Sequence, residues 1–299
     1  LWAAAWKNTK RLEIAPSLTG TRPYTTDPFR KVLNMHATRL RLPFTIFGLI
    51  AIATIALNWL PNIWNDWQPD YCRAVNCYCE PFREGFVLQT TAAYSNLGFA
   101  LVGLLILSHS HERSGGSSDG FSRPNPIRAH SAYPASFGLT ALLIGAGSFF
   151  YHASLTRAGE WFDLMGMYLF TSLLMLYNLA RLRPLTSATF AAIYLGLNTL
   201  FGIQMILARE LQQIVFGLLV GGALGLEAVI QWSRRPAIRH RYFVAALGCF
   251  AVGAVIWLLD SRGALPCWPE SLFQWHALWH LLTAASAGLL YLYYRSERE

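Results

Sequence analysis

At 299 residues, 54% hydrophobic and only 13% charged, with a mean hydropathy of +0.32, the chain is too apolar for an ordinary soluble domain. Its net charge of +8 would suit a nucleic-acid-binding protein, but the basic residues alternate with apolar stretches instead of forming one face, which excludes that class. What remains is an all-α, polytopic membrane helix bundle.

A hydrocarbon core about 30 Å thick takes about 20 apolar residues per helix. Windows of that kind fall at 43–60, 86–108, 133–152, 161–180, 187–207, 211–232, 242–259 and 275–294, which predicts eight spans. Placing the amino terminus in the cytoplasm leaves only Arg73, Arg83, Arg157, Arg209 and Arg262 outside, with the other nineteen of the 24 Lys and Arg inside. Basic residues in short loops resist translocation, so both termini are expected to be cytoplasmic.

Residues 1–41 carry Trp2, Trp6 and a basic run, and they lack the apolar core of a signal peptide. They read as a cytoplasmic arm suited to an anionic membrane surface or to a partner subunit. The span at 42–60 has no ionisable residue and reads as an additional transmembrane helix that anchors or packs. Residues 61–85 form an extracytoplasmic loop with Trp64, Trp67, Asp66, Asp70 and the run Cys77-Tyr78-Cys79-Glu80-Pro81, long enough to cap one mouth of a bundle.

Residues 86–299 form the core. Its first span holds Tyr94-Ser95-Asn96, where Asn96 is expected to hydrogen-bond to another helix. The connection from His109 to Ala132 contains Ser-Gly-Gly-Ser-Ser and Pro-Asn-Pro and carries no catalytic signature. Next comes Gly147-Ser148-Phe149-Phe150-Tyr151-His152, with Asp163 eleven residues after that histidine. Glu227, toward the inner end of its span, is expected to pair with an arginine. Asp260 closes its span at the membrane surface, placed to cap a helix, pair with Arg262 or line a site entrance. The last span opens with Trp275-His276-Ala277-Leu278-Trp279-His280.

The topology sorts the cysteines: Cys72, Cys77, Cys79 and Cys267 lie in outside loops, and Cys249 lies within a helix. Four cysteines on an oxidising face suggest two disulfides, and three pairings are open.

Ionisable groups within lipid-embedded segments are costly and mark functional sites. His276 and His280 are four residues apart, on one face of a helix. Ser148 and His152 share that spacing. The charge-derived topology brings the ends carrying Ser148, His152, Asp163, His276 and His280 to one depth, near the extracytoplasmic face. Three neutral imidazoles plus water make a zinc site with an open position, catalytic rather than structural. Zinc lowers the pKa of its water to about 7. Asp163 would serve as general base and then proton donor, and Ser148 would hydrogen-bond the oxyanion. The expected chemistry is hydrolysis of an amide or ester in a membrane lipid.

These residues resemble a family. Ser-x-x-x-His, the aspartate eleven residues on and a late His-x-x-x-His followed by Leu-Leu-Thr resemble the CREST superfamily of seven-helix membrane hydrolases. The alkaline ceramidases are the most similar branch. Cys79-Glu80-Pro81 before a span with Ser95-Asn96-Leu97, then Phe149 to Leu155, then Trp257 to Asp260 and a cysteine before the last helix, follow their order over roughly residues 77 to 294.

The resemblance implies a seven-helix zinc hydrolase core plus one extra N-terminal transmembrane helix. Zinc would be held by His152, His276 and His280, with Asp163 and Ser148 acting on water and substrate. It also implies a disulfide between Cys79 and Cys267, which leaves Cys72 with Cys77. The ceramidase calcium motif is not kept: Cys77-Tyr78-Cys79-Glu80 runs into Pro81 and Phe82, so Glu80 is the one candidate ligand that survives for Ca2+. Glu-Trp-Phe-Asp163-Leu-Met-Gly also departs from the ceramidases' Leu-Asp-Glu-Leu-Pro, which bears on the substrate.

The reading is therefore a zinc-dependent amidase that cleaves a ceramide-like lipid to a long-chain base and a fatty acid. The alternatives are a lipid esterase or phospholipase on the same core, or a non-catalytic zinc-containing subunit or receptor that docks through the arm.

Overall fold

The computed structural model describes residues 28–110 and 125–298. Most of the expected arm (1–27) and the middle of the Ser/Gly/Pro-rich connection (111–124) lie outside the described residues. Residues 28–38 fall in a separate unit, and the rest of the described chain belongs to the unit Arg39–Glu299.

The helices are α1 (Pro28–Ala56), α2 (Tyr71–Val75), α3 (Thr90–Ser95), α4 (Leu97–Ser108), α5 (Pro126–Ala129), α6 (Ala132–Ser154), α7 (Arg157–Leu182), α8 (Ser187–Leu207), α9 (Gln212–Ser233), α10 (His240–Asp260) and α11 (Trp275–Arg295). Among the described residues there is no β-strand, only two isolated bridges. Seven segments are long and apolar enough to cross a membrane: Leu40–Trp59, Thr90–Ser108, and the stretches of α6, α7, α8, α9 and α10. The chain is a multi-pass integral membrane protein with an all-α bundle.

The eighth expected span is α11. It matches α8 and α10 in length at 21 residues, but His276, His280 and its run of Trp and Tyr dilute its apolar character. The span expected from residue 86 starts as helix only at Thr90, because 86–89 are extended.

Helix α6 packs between α4 and α7, while α11 packs on α10, α4 and α3. Small residues set these approaches, as is usual where lipid removes the hydrophobic drive between helices. A Cβ on Gly103 would meet Gly138 O at 2.7 Å, and one on Gly138 would meet Gly103 O at 2.8 Å, so α4 and α6 cross backbone to backbone. Below that crossing lies an aromatic core of Phe137, Phe170, Tyr177, Tyr291 and Tyr294.

Polar groups lock both ends of the bundle. At one end Arg181 is buried between Glu227 and Glu297, 3.0 Å from Glu297, with Asn178 accepting from its guanidinium at 2.9 Å. The arginine expected for Glu227 is thus Arg181, supplied by α7. Breaking such a buried pair typically costs about 3–5 kcal/mol, since the remaining charge is left without a counter-charge.

At the other end, Arg209 bridges Asp70 and Glu160. Burial pushes the Asp70 carboxyl up. The Tyr151 hydroxyl at 2.8 Å, the Tyr71 and Cys72 backbone N–H groups and the Arg209 guanidinium more than offset it, holding Asp70 below its ordinary value. Leu155 ends α6 at a φ of 46° and is fully buried, and its carbonyl accepts from Asp70 N–H at 2.9 Å. The loop 61–89 is thereby sewn onto the ends of α6 and α7. Both disulfides, Cys72–Cys77 and Cys79–Cys267, lie at this end, and Cys249 is free within α10.

Candidate metal centre

A helix leaves its last carbonyls without intrahelical donors. At the end of α6 the extended residues before α3 fill two of them: Leu88 N–H donates to Ala153 O at 3.1 Å, and Gln89 N–H donates to His152 O at 3.0 Å. This register lays the Gln89 side chain against the His152 ring. The Gln89 amide nitrogen donates to Glu80 O at 3.3 Å, so its Oε1 faces the ring and accepts from Nδ1–H at 2.8 Å. The lone pair of His152 is then on Nε2.

His280 is oriented in the same sense from α3. Its Nδ1 lies 3.1 Å from Ala92 O, which can only accept, so Nδ1 carries the proton and Nε2 the lone pair. Ser95 Oγ at 2.8 Å and the Asn96 amide at 3.3 Å flank the same nitrogen. Asn96, expected to hydrogen-bond to another helix, lies against α11, but its amide N–H group donates to Ala92 O at 3.0 Å and cannot donate to a protonated Nδ1. His276 lies one turn before His280, with ring centroids 4.6 Å apart.

The three rings are buried, and one nitrogen of each lies within 4.8 Å of the others. His276 Nε2 and His152 Nε2 are 3.2 Å apart, while His276 Nδ1 is buried with no hydrogen-bond partner. A proton on Nε2 leaves Nδ1 as an unmet buried acceptor, and a proton on Nδ1 makes it an unmet buried donor. Neither tautomer satisfies the site by itself. Three neutral imidazoles, His152 held by Gln89 and His280 by Ala92 and Ser95, are a donor set that fits zinc. Among the described residues this is the one group of His, Cys, Asp or Glu side chains arranged to hold a metal.

Ser148 and Asp163 complete the group. Ser148 Oγ lies 3.4 Å from His280 Nε2, and Asp163 lies beside Ser148. Their meeting depends on Gly147, where a Cβ would stand 2.4 Å from Phe162 O and 3.1 Å from Asp163 N. Only a residue without a side chain lets α6 come that close to α7. All five expected site residues therefore converge at the disulfide end of the bundle.

Glu80 has a different environment. Buried, its carboxylate accepts from Thr91 N–H at 2.6 Å, Ala92 N–H at 2.8 Å and Thr90 Oγ1 at 3.3 Å. Both oxygens cap the start of α3, where unpaired N–H groups favour an anion. This holds Ala92 and Ser95 where His280 needs them.

Gln89 and Ser95 were not legible as site residues from their types. Gln89 is a loop glutamine whose role comes from pairing with the end of α6. Ser95 carried a weak signal, an adjacent Ser-Asn pair inside an apolar run. Beside them a cavity of about 780 Å³ is lined by polar residues that include Asn58, Arg83 and Thr90 and by apolar ones that include Leu278 and Leu281, with Tyr94. Ser95 lines the cavity too, so the cavity reaches within one side chain of His280.

A family model described as ceramidase matches residues 87–298. No curated protein matches the chain.

Proposed function

The chain belongs to the ceramidase family, and on that premise we propose that it is a zinc-dependent lipid amidase, hydrolysing the amide of a ceramide or related N-acyl lipid. The observation that carries this reading is the convergence of three buried imidazoles, two of them oriented by hydrogen bonds, with an aspartate–serine pair. A zinc held by His152, His276 and His280 would supply Lewis acidity and an activated water.

The chain's own residues do the rest. Gln89, Ala92 and Ser95 fix which nitrogen each of His152 and His280 presents. Asp163 takes a proton from the attacking water and returns it to the amine as the C–N bond breaks, which leaves a fatty acid and a long-chain base. Ser148, next to both Asp163 and His280, donates to the carbonyl oxygen as charge develops there. The apolar side of the neighbouring cavity receives acyl chain, its volume being in the ordinary range for a ligand site. Two disulfides at this end and the skewed distribution of basic residues support an extracytoplasmic active site with both termini cytoplasmic.

The test is fatty-acid release from a ceramide and from a phospholipid by purified protein in detergent, for wild type and Ser148→Ala. Release from ceramide, weakened by about a hundredfold or more in the variant, is the expected result. Release from phospholipid alone would move the assignment to an esterase on the same core.

A further inference from the structure

Tyr78 lies in the loop before α3, yet its ring stacks on His276 with centroids 3.7 Å apart and planes inclined by 32°, and it lies 6.0 Å from the His152 ring. Of the ring contacts to the three histidines it is the shortest. His276 is also the ligand with the least support of its own: Gln89 holds His152, Ala92 and Ser95 hold His280, and His276 Nδ1 has no partner.

The backbone around Tyr78 is fastened on both sides. Cys77 is bonded to Cys72, and Cys79 is bonded to Cys267, nine residues before His276. The second bond ties the Tyr78 segment directly to the strand of chain that leads into α11. Trp257, near the end of α10, lies beside the Tyr78 hydroxyl, with the Asp163 and Asp260 carboxylates within electrostatic reach of it. A loop side chain would ordinarily lose conformational freedom to make such a stack. Here two covalent links have already removed much of it.

We infer that Tyr78 is a positioning residue of the metal centre: a ring clamped between two disulfides that fixes the orientation of His276 and slows escape of the metal. The inference rests on the zinc reading above. It assigns to stacking, for His276, the role that hydrogen bonds play for His152 and His280. The flanking disulfides then matter to metal retention as well as to folding.

Zinc-loaded wild type, Tyr78→Ala and Tyr78→Phe in detergent would be mixed with excess chromogenic chelator and zinc release timed, with melting temperatures recorded alongside. Loss of a residue that orients a ligand typically weakens a metal site by about 10- to 100-fold, so Tyr78→Ala is expected to release zinc about tenfold faster or more. Tyr78→Phe keeps the ring and is expected to release it at the wild-type rate. Should Tyr78→Ala fail to fold, the Cys72→Ser/Cys77→Ser variant keeps the ring but frees one side of its backbone, and faster release is again expected. Equal rates in wild type and Tyr78→Ala would overturn the inference, as would a Tyr78→Phe protein as leaky as Tyr78→Ala. Wild type that takes up no zinc would instead remove the metal reading itself.

Discussion

Asp163→Asn is expected to lower turnover by about a hundred- to ten-thousand-fold, the range contributed by a positioned proton-transfer group, while zinc content stays at the wild-type level. Asparagine has nearly the shape of aspartate and can still lie beside Ser148, so the contact between α6 and α7 through Gly147 survives. It cannot take a proton from water. Asp163 is also absent from the group of side chains arranged to hold metal, so its loss removes no ligand. Turnover and zinc content measured on one preparation separate the two roles. A chain that uses its metal only for structure would be little changed, and loss of zinc together with turnover would make Asp163 a ligand.

His280→Ala is expected to lose both metal and activity. His280 is held on three sides by α3 and presents its Nε2 next to Ser148, so the substitution removes a donor and the partner of that serine at once. Ala92 O keeps Ser95 Oγ at 2.6 Å and the Asn96 amide nitrogen at 3.0 Å, so the loss falls on the metal and on the space the ring filled. Zinc retained after dialysis, together with residual hydrolysis, is the measurement. Ser95→Ala gives the graded comparison, because it loosens the ring without deleting it and should weaken zinc binding by about 10- to 100-fold. If His280→Ala kept its zinc, the metal would have to sit elsewhere.

What the sequence made legible follows from how costly polar groups are in lipid. His152, Asp163, His276 and His280 stood out because each interrupts an apolar stretch, and topology alone brought their ends of the bundle together. The helical periodicity of four between His276 and His280 needed no knowledge of the fold. The pairing of Cys79 with Cys267 came from resemblance, since chain order left three pairings open, and the structure has that bond.

Residues outside the spans were opaque for the opposite reason. In a loop a glutamine, a tyrosine or an arginine is ordinary, and its meaning comes from partners far away in sequence. Gln89 acquires its role from the carbonyls at the end of α6, Tyr78 from the disulfides that flank it, and Arg209, which the sequence marked only as one of the outside basic residues, from Asp70 and Glu160. Asp260 proved to be buried, with Oδ2 lacking a hydrogen-bond partner and the carboxylate near Tyr78, so among the roles open to it the surroundings of the site are where it lies. Helix α11 shows the cost of function to pattern: it carries His276 and His280 and is the expected span that falls outside the seven segments apolar enough to cross a membrane.

If three imidazoles hold a metal on which lipid hydrolysis depends, metal and activity are lost together. The most direct test is zinc content of the purified protein, measured beside fatty-acid release from ceramide, for wild type and His276→Ala. The account predicts about one zinc per chain in wild type, as in catalytic three-histidine sites, and loss of both zinc and release in the variant. Ceramide hydrolysis that persists at the wild-type rate in His276→Ala, or in wild type stripped of zinc, would contradict it.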